Sequence, residues 1–445
     1  MNKTLILRCG RIIGFALLPW LIAVQAFFTP LPAHALPAFA RQTGQNCAVC
    51  HAGGQFPELT SFGRLFKLTG YTIGTHHVPL SVMGVASVTK SRNPTSDEAF
   101  AKDAAALFQT GSVFLAGKIT DKAGILAQAT YNNYDSQDSG TGAWQGKWAS
   151  DNFDLRYADN MMLAEKGLIA GISLNNNPSV ADPWNTAPAW IQYVPTRFGI
   201  TGPDATPIVS QLGQQAAGLS AYAFWDQTLY AELSAYRTAD GIWSFLSQGT
   251  SDADQTKLQG MNPYLRLALS HDWGPHSAMI GAFAMNADVY PINLAPTGPT
   301  IGYRDRGIDM QYQYLLSPHT FTAQMSFIKE TIRNGDITGI AANAFEDLNQ
   351  LKLKTSYVYR NTYGASLGYF NTTGSSDSTL YPDPGGNPGT RGWIPEVFWT
   401  PMVYLRIGAQ FYAFNRFHGA SINYDGAGRN AKDNNTLFLY AWAAY

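Results

Sequence analysis

The residues best placed to do chemistry are Cys47, Cys50 and His51, in the run Cys47-Ala48-Val49-Cys50-His51. Two thiols three positions apart, followed at once by an imidazole, form the C-x-x-C-H pattern of covalent haem attachment. Each thiol can form a thioether with a haem vinyl group, and the adjacent imidazole can ligate the iron. A structural zinc site is the competing use of a cysteine pair, but it needs a second pair to close. Cys9 is the only other cysteine of the chain. A thioredoxin-type redox pair is excluded because no βαβ pattern surrounds the motif. One haem c per chain, with electron transfer as its chemistry, is the expectation.

Covalent haem attachment belongs to compartments outside the cytoplasm, and the chain opens accordingly. Lys3, Arg8 and Arg11 make a basic start, Ile12 to Phe28 is apolar, and Ala33-His34-Ala35 is a small-x-small cleavage site. Pro19 and Gln25 interrupt the run, which disfavours a membrane anchor. Residues 1–35 read as a cleaved signal peptide, and Cys9 leaves with it.

The elements that must position the motif divide in two. Residues 36–77 form a small haem-binding segment. Pro57 to Leu68 reads as a helix with Phe62, Leu65 and Phe66 on one side and Arg64 and Lys67 facing away, and Gly70 ends it. Some forty residues cannot build a sizeable core alone, so this segment needs the haem and a surrounding scaffold.

Residues 78–445 read as that scaffold. Leu265, Leu267 and Leu269 alternate with Arg266, Ala268 and Ser270. Leu229, Ala231, Leu233 and Ala235 alternate with Tyr230, Glu232, Ser234 and Tyr236, and Met310, Tyr312, Tyr314 and Leu316 with Asp309, Gln311 and Gln313. Each strand offers one face to hydrocarbon and one to a wet interior. A soluble sandwich alternates as well. Connection length separates the two: tight turns at 121–124, 166–167, 226–227, 274–275, 318–319, 361–362 and 401–402 alternate with long polar stretches along the whole chain. That rhythm belongs to an outer-membrane barrel of about 16 antiparallel strands. Leu437, Leu439, Ala441, Ala443 and Tyr445 give the last strand an apolar parity ending in an aromatic residue.

Composition agrees. Charged residues are 14% of the 445, aromatics 13%, and glycines number 42. That is unusual for a soluble enzyme, while no run beyond the signal approaches the roughly twenty apolar residues of a membrane helix. A net charge of −1 disfavours nucleic acid as a partner. The apolar band of such a barrel is about 25 Å tall, too far for one useful electron-tunnelling step. A haem held inside the barrel would bring partners on both sides close to one cofactor. The expected fold is all-β: an outer-membrane barrel whose lumen is plugged by a small helical c-type haem segment.

The chain resembles the fused outer-membrane cytochrome–porins, best known as iron oxidases of iron-oxidising bacteria. The resemblance is carried by Pro37-Ala38-Phe39-Ala40-Arg41-Gln42-Thr43-Gly44 and Cys47 to His51. It continues through Phe56-Pro57-Glu58-Leu59, Phe62-Gly63-Arg64, Phe66-Lys67 and Gly70-Tyr71-Thr72. The barrel is similar in length, layout and its end near Asn434-Asn435-Thr436-Leu437. The resemblance implies oxidation of extracellular Fe(II) at the haem and delivery of electrons to a periplasmic cytochrome. Cys47 and Cys50 would hold the haem, and His51 would be the proximal ligand. Two further readings stand beside it: the same conduit with another donor or acceptor, and a substrate porin with a structural or sensory haem, which a forty-residue plug disfavours.

Candidates for the distal ligand are His76, His77 and Met83, beside a more distant residue or an open position. A second histidine would lower the haem potential, and a methionine would raise it and suit an Fe(II) donor. Arg41, Arg64 and Lys67 are candidate partners of the haem propionates or of luminal carboxylates. Lys352, Lys354, Arg156, Arg266 and Arg406 are expected to line the lumen opposite Asp154, Glu232 and Asp309. The loop acids Asp252, Asp254, Glu346 and Asp347 read as solvated charges.

Overall fold

The computed structural model describes residues 37–54, 58–93, 104–138, 143–186, 205–248, 255–334, 339, 341–381 and 385–445. The expected signal peptide and the loop acids Asp252 and Asp254 lie outside the described residues.

Three short helices come first: α1 (Pro37–Thr43), α2 (Cys47–Cys50) and α3 (Ser61–Leu68). The strands begin with β1 (Leu80–Ser91), β2 (Ala106–Lys118), β3 (Ala123–Gln137) and β4 (Trp144–Leu163). Next come β5 (Lys166–Asn175), β6 (Ala216–Trp225), β7 (Leu229–Thr238) and β8 (Asn262–Trp273). They continue with β9 (His276–Val289), β10 (Ile301–Leu316), β11 (His319–Arg333) and β12 (Phe345–Tyr359). The last are β13 (Tyr363–Gly374), β14 (Thr390–Met402), β15 (Leu405–Arg416) and β16 (Thr436–Ala444).

Every strand pairs antiparallel with its sequence neighbours, and β1 closes on β16 from Met83↔Ala444 to Ser91↔Thr436. Closure leaves no edge, so the strand backbone is hydrogen-bonded around the whole circumference. The result is a 16-stranded antiparallel barrel, as the alternation and loop rhythm predict.

Side-chain parity sets inside from outside. On β8, Leu265, Leu267 and Leu269 are about half exposed, whereas Tyr264, Arg266, Ala268 and Ser270 are buried. The last strand follows the same rule. Leu437 and Leu439 face outward, while Phe438, Tyr440 and Trp442 point inward and pack with Val85 and Met83. Several inward rings lie over a glycine of the next strand: a Cβ at Gly364 would meet Phe398, and one at Gly408 would meet Tyr440. This pairing of ring and glycine lets large side chains lie flat against the wall.

Short and long connections alternate as expected, with shifted turns. The β4–β5 hairpin turns at Ala164-Glu165, both at positive φ, two residues before the expected Lys166-Gly167. The β14–β15 turn lies at 403–404, with Met402 paired to Leu405, rather than at 401–402. The connection from β5 to β6 folds onto the inner wall through α4 (Pro178–Ala181) and α5 (Ile208–Gln211), burying Asp182, Trp184 and Ile208. Ile208 and Val209 donate backbone N–H bonds to Glu330 (2.6 Å) and Asp305 (2.9 Å).

One expectation for the N-terminal segment is corrected. The described helix starts at Ser61, four residues after Pro57, because the Thr60 side chain caps it by accepting from the Gly63 N–H. Arg64 and Lys67, on the polar side of that helix, are both buried against inward-facing side chains and loop carbonyls. Helical periodicity marks them as the polar side, but their surroundings are themselves polar, so burial and polarity coexist.

Candidate functional site

The Cys47–His51 run is a single helical turn made by local bonds. Asn46 caps it by accepting from the Ala48 N–H (3.1 Å), and the His51 N–H reaches the Cys47 carbonyl (2.8 Å). His51 then pairs in a β-bridge with Leu59, and the Ala52 N–H bonds the Glu58 carbonyl (2.9 Å). The Thr60 N–H bonds the Cys50 carbonyl (2.9 Å), and the Thr60 hydroxyl donates to the Val49 carbonyl (2.5 Å). Gly63 is required here, because a Cβ would collide with the Cys50 carbonyl oxygen. The motif is thereby strapped onto the first turn of α3.

Cys47 is buried with its Sγ 3.9 Å from the Val403 carbonyl, in the β14–β15 turn; Cys50 and His51 are partly exposed. Burial pushes the Cys47 thiol up to about 12 and the Cys50 thiol up to about 11, so both are protonated at neutral pH. Burial lowers His51 to about 3 against the raising effect of its contact with the Glu58 backbone. The imidazole is therefore neutral, the form that ligates a metal.

Side chains around the motif bind inward-facing residues of several strands. Glu58 forms an ion pair with Lys354 on β12 (2.6 Å). Arg64 donates to Gln313 on β10 (3.2 Å), Ser277 on β9 (2.8 Å) and the Leu59 carbonyl (2.9 Å), with Asp272 at 3.6 Å. Lys67 donates to the Asp182 carbonyl (2.9 Å). The Tyr71 hydroxyl donates to Asp154 on β4 (2.6 Å), whose carboxylate also accepts from Arg156 (2.7 Å) and Ser173 (2.7 Å). The Tyr222 hydroxyl on β6 donates to the Leu68 carbonyl (2.8 Å). Phe39 stacks on Tyr71 with centroids 5.2 Å apart, which ties α1 into the same body.

The expected luminal charges fall on the inner face and pair: Arg156 with Asp154, Arg266 with Asp309 (2.6 Å), and Arg406 with Glu396 (3.0 Å). Arg41 donates to the carbonyls of Val78 (3.3 Å) and Leu80. The three candidate distal ligands separate. His76 and His77 are exposed on the connector into β1. Met83 lies on the inner parity of β1 beside Val85, across from Ala444, whose N–H bonds the Tyr404 carbonyl one residue from Val403.

The donor set fits a covalently held haem: two thiols, a neutral imidazole, and buried polar groups beyond them. Among the described residues, no three or more His, Cys, Asp or Glu side chains converge as a bare metal ion requires. On the inner wall, Gln311 and Gln324 are buried, and among the described residues neither amide has a partner for its oxygen or its nitrogen. Sequence reasoning missed these two. Their parity marks them as luminal, but nothing local says that their hydrogen bonds go unmet. Trp184 was missed as well, since a long polar connection gives no sign that it folds back inside.

No protein-family model matches the chain, and no curated protein is similar to it in sequence. Solved barrels are similar in structure over 82% of this chain. The outer membrane channel DcaP of Acinetobacter baumannii has TM-score 0.47 and 12% identity, with 96% of its length covered. A loop L8 deletion mutant of OmpT, an outer membrane protein of Vibrio cholerae, has TM-score 0.45 and 8% identity, with 98% covered. Salmonella typhi OmpF in complex with daunomycin has TM-score 0.44 and 10% identity, with 97% covered. This chain is a closed 16-stranded antiparallel barrel with an apolar exterior suited to a lipid bilayer.

Proposed function

We propose that this protein is a monohaem cytochrome housed in an outer-membrane barrel of a Gram-negative bacterium, carrying electrons from extracellular Fe(II) to a periplasmic carrier such as a cytochrome. The observation that carries the reading is the attachment of a C-x-x-C-H turn to a helix whose Arg64 side chain bonds the inward faces of β9 and β10 and whose Leu68 carbonyl accepts from Tyr222 on β6, with Glu58 beside it held on β12. A haem c supplies reversible one-electron chemistry at its iron.

The residues of the chain have separate tasks in this reading. Cys47 and Cys50 hold the cofactor, and His51 is its proximal ligand. Glu58, Arg64, Lys67 and Tyr71 anchor the 36–77 segment as a plug in the lumen. As a plug, the segment would obstruct a general diffusion pore, which favours a conduit for electrons over a channel for solutes. The distance supports the same view: one cofactor inside the barrel serves donors and acceptors on both faces, where a haem on one side cannot. Each Fe(II) loses one electron to become Fe(III), and the periplasmic carrier takes that electron up.

The test is rapid mixing of purified holoprotein in detergent with Fe(II), followed by haem absorbance, beside a redox titration. Reduction of the haem by Fe(II), absent from the Cys47→Ser/Cys50→Ser double variant, is the expected result. A potential far below every accessible Fe(III)/Fe(II) couple, with no reduction, refutes the iron reading. The same conduit with another donor would then stand if other reductants still reduce the haem.

A further inference from the structure

A haem carries two propionate carboxylates, and the basic residues nearest the motif are committed elsewhere. Arg41 binds the carbonyls of Val78 and Leu80, Arg64 binds Gln313, Ser277 and Leu59, and Lys67 binds the Asp182 carbonyl. The inner wall beside α3 offers a different set. Gln311 on β10 and Gln324 on β11 are direct cross-strand partners, 4% and 7% exposed, and among the described residues all four of their amide atoms lack a hydrogen-bond partner. Leaving such groups buried and unmet is unfavourable, so a polar occupant is to be expected. Gln324 is paired in register with Lys354, and Lys352 lies two residues further along the same face of β12.

This wall is tied to the motif. His51 bridges to Leu59, and the Leu59 carbonyl accepts from Gln313 (3.1 Å), two residues from Gln311 on the same inward parity. We propose that Gln311, Gln324 and Lys352 form the seat of the haem carboxylates, with the amide N–H groups donating to them and the ammonium supplying the counter-charge. The assignment rests on the haem reading of the preceding section. These are positioning residues: they set the tilt of the cofactor and, through the charge beside it, its potential. A luminal cation stabilises the ferrous form relative to the ferric form and raises the potential.

The experiment uses detergent-purified holoprotein of the full chain and three variants: Lys352→Gln, Lys352→Arg and the double variant Gln311→Leu/Gln324→Leu. Covalent haem is quantified first, then the midpoint potential across pH. Infrared redox-difference spectra with propionate-labelled haem follow the carboxylate bands. The expected result is full haem content throughout, a lower potential and shifted carboxylate bands in Lys352→Gln, recovery of both in Lys352→Arg, and shifted bands in the double variant. Unchanged potentials and bands in haem-loaded variants overturn the seat and leave the haem reading intact. Wild-type protein without covalent haem overturns both. Should the variants fail to fold, the wild-type spectrum still decides: bands of fully hydrated carboxylates refute the proposal, and bands of hydrogen-bonded, dehydrated ones uphold it.

Discussion

Replacing Lys354 by methionine is the sharpest test of how the N-terminal segment is held. Lys354 reaches Glu58 at 2.6 Å, and the two side chains are 11% and 1% exposed. The second carboxylate oxygen of Glu58 is buried with no partner, so the lysine is the hydrogen-bonding partner this carboxylate has among the described residues. Removing it strands a charge that cannot reach water, at a cost of about 3–5 kcal/mol. Glu58→Gln should cost less, because the lysine stem can bend its ammonium toward luminal water. Combining the two should restore much of the loss, since neither charge then remains. The assay is native-state hydrogen exchange of peptides spanning 58–71. Its reporters are the helical amides of Arg64 and Thr69 and the Tyr71 amide, bonded to the carbonyls of Thr60, Leu65 and Phe66. Local opening should become about a hundredfold or more as frequent in Lys354→Met, at about 1.4 kcal/mol per factor of ten. Thermal unfolding of the barrel, which is closed by its own backbone bonds, should stay unchanged. Protection within about threefold of wild type, under 1 kcal/mol, would refute the buried pair as an anchor.

Further outcomes follow from other parts of the structure. Leu267 lies near the middle of β8 and is 49% exposed on the outer face, so Leu267→Arg should cost about 2–4 kcal/mol of barrel stability in lipid; urea titration in vesicles measures it. Asp377 lies in the β13–β14 connection. Burial alone would raise its carboxyl, but N–H bonds from Leu380, Asn343 and Thr379 hold it down to about 2. A depressed carboxylate contributes stability above its unfolded value of 3.8 that is lost as pH falls toward 2. Exchange protection of the Ala342, Asn343, Thr379 and Leu380 amides should thus persist to pH 4 and fall below it, whereas Asp377→Asn should show weakened protection at pH 7. Met83→Leu in the holoprotein should remove the methionine-to-iron charge-transfer band and lower the potential, with His76→Ala and His77→Ala leaving both unchanged. A wild-type spectrum without that band, with a potential that shifts in His76→Ala or His77→Ala and not in Met83→Leu, would assign the distal position to the connector.

Much of this architecture is legible in the chain because a barrel wall is a repetitive physical problem. Every strand must be apolar outside, so the parity of Leu265, Leu267 and Leu269 reveals a lipid face, and Arg266 must then be luminal. Turn positions were less legible. Ala164-Glu165 carries positive φ on two ordinary residues, and no glycine or asparagine announces it. The last strand was ambiguous because both parities are apolar. Packing resolves it, with Phe438, Tyr440 and Trp442 forming an inner cluster with Val85. Around the motif, Cys47, Cys50 and His51 stand out by spacing alone, whereas the burial of Arg64 and Lys67 does not. Helical periodicity separates polar from apolar faces but cannot tell a polar face in water from one held by Gln313, Ser277 and the Asp182 carbonyl. The inward fold of the β5–β6 connection is a tertiary outcome with no local signature.

The central claim is one cofactor inside the barrel passing electrons across the membrane, and vesicles test it most directly. The protein is reconstituted in sealed liposomes that enclose a redox dye, and Fe(II) is added outside. Reduction of the haem followed by reduction of the enclosed dye is predicted, with neither in the Cys47→Ser/Cys50→Ser barrel. A haem-loaded barrel whose haem Fe(II) leaves oxidised, with the enclosed dye untouched, would contradict the account.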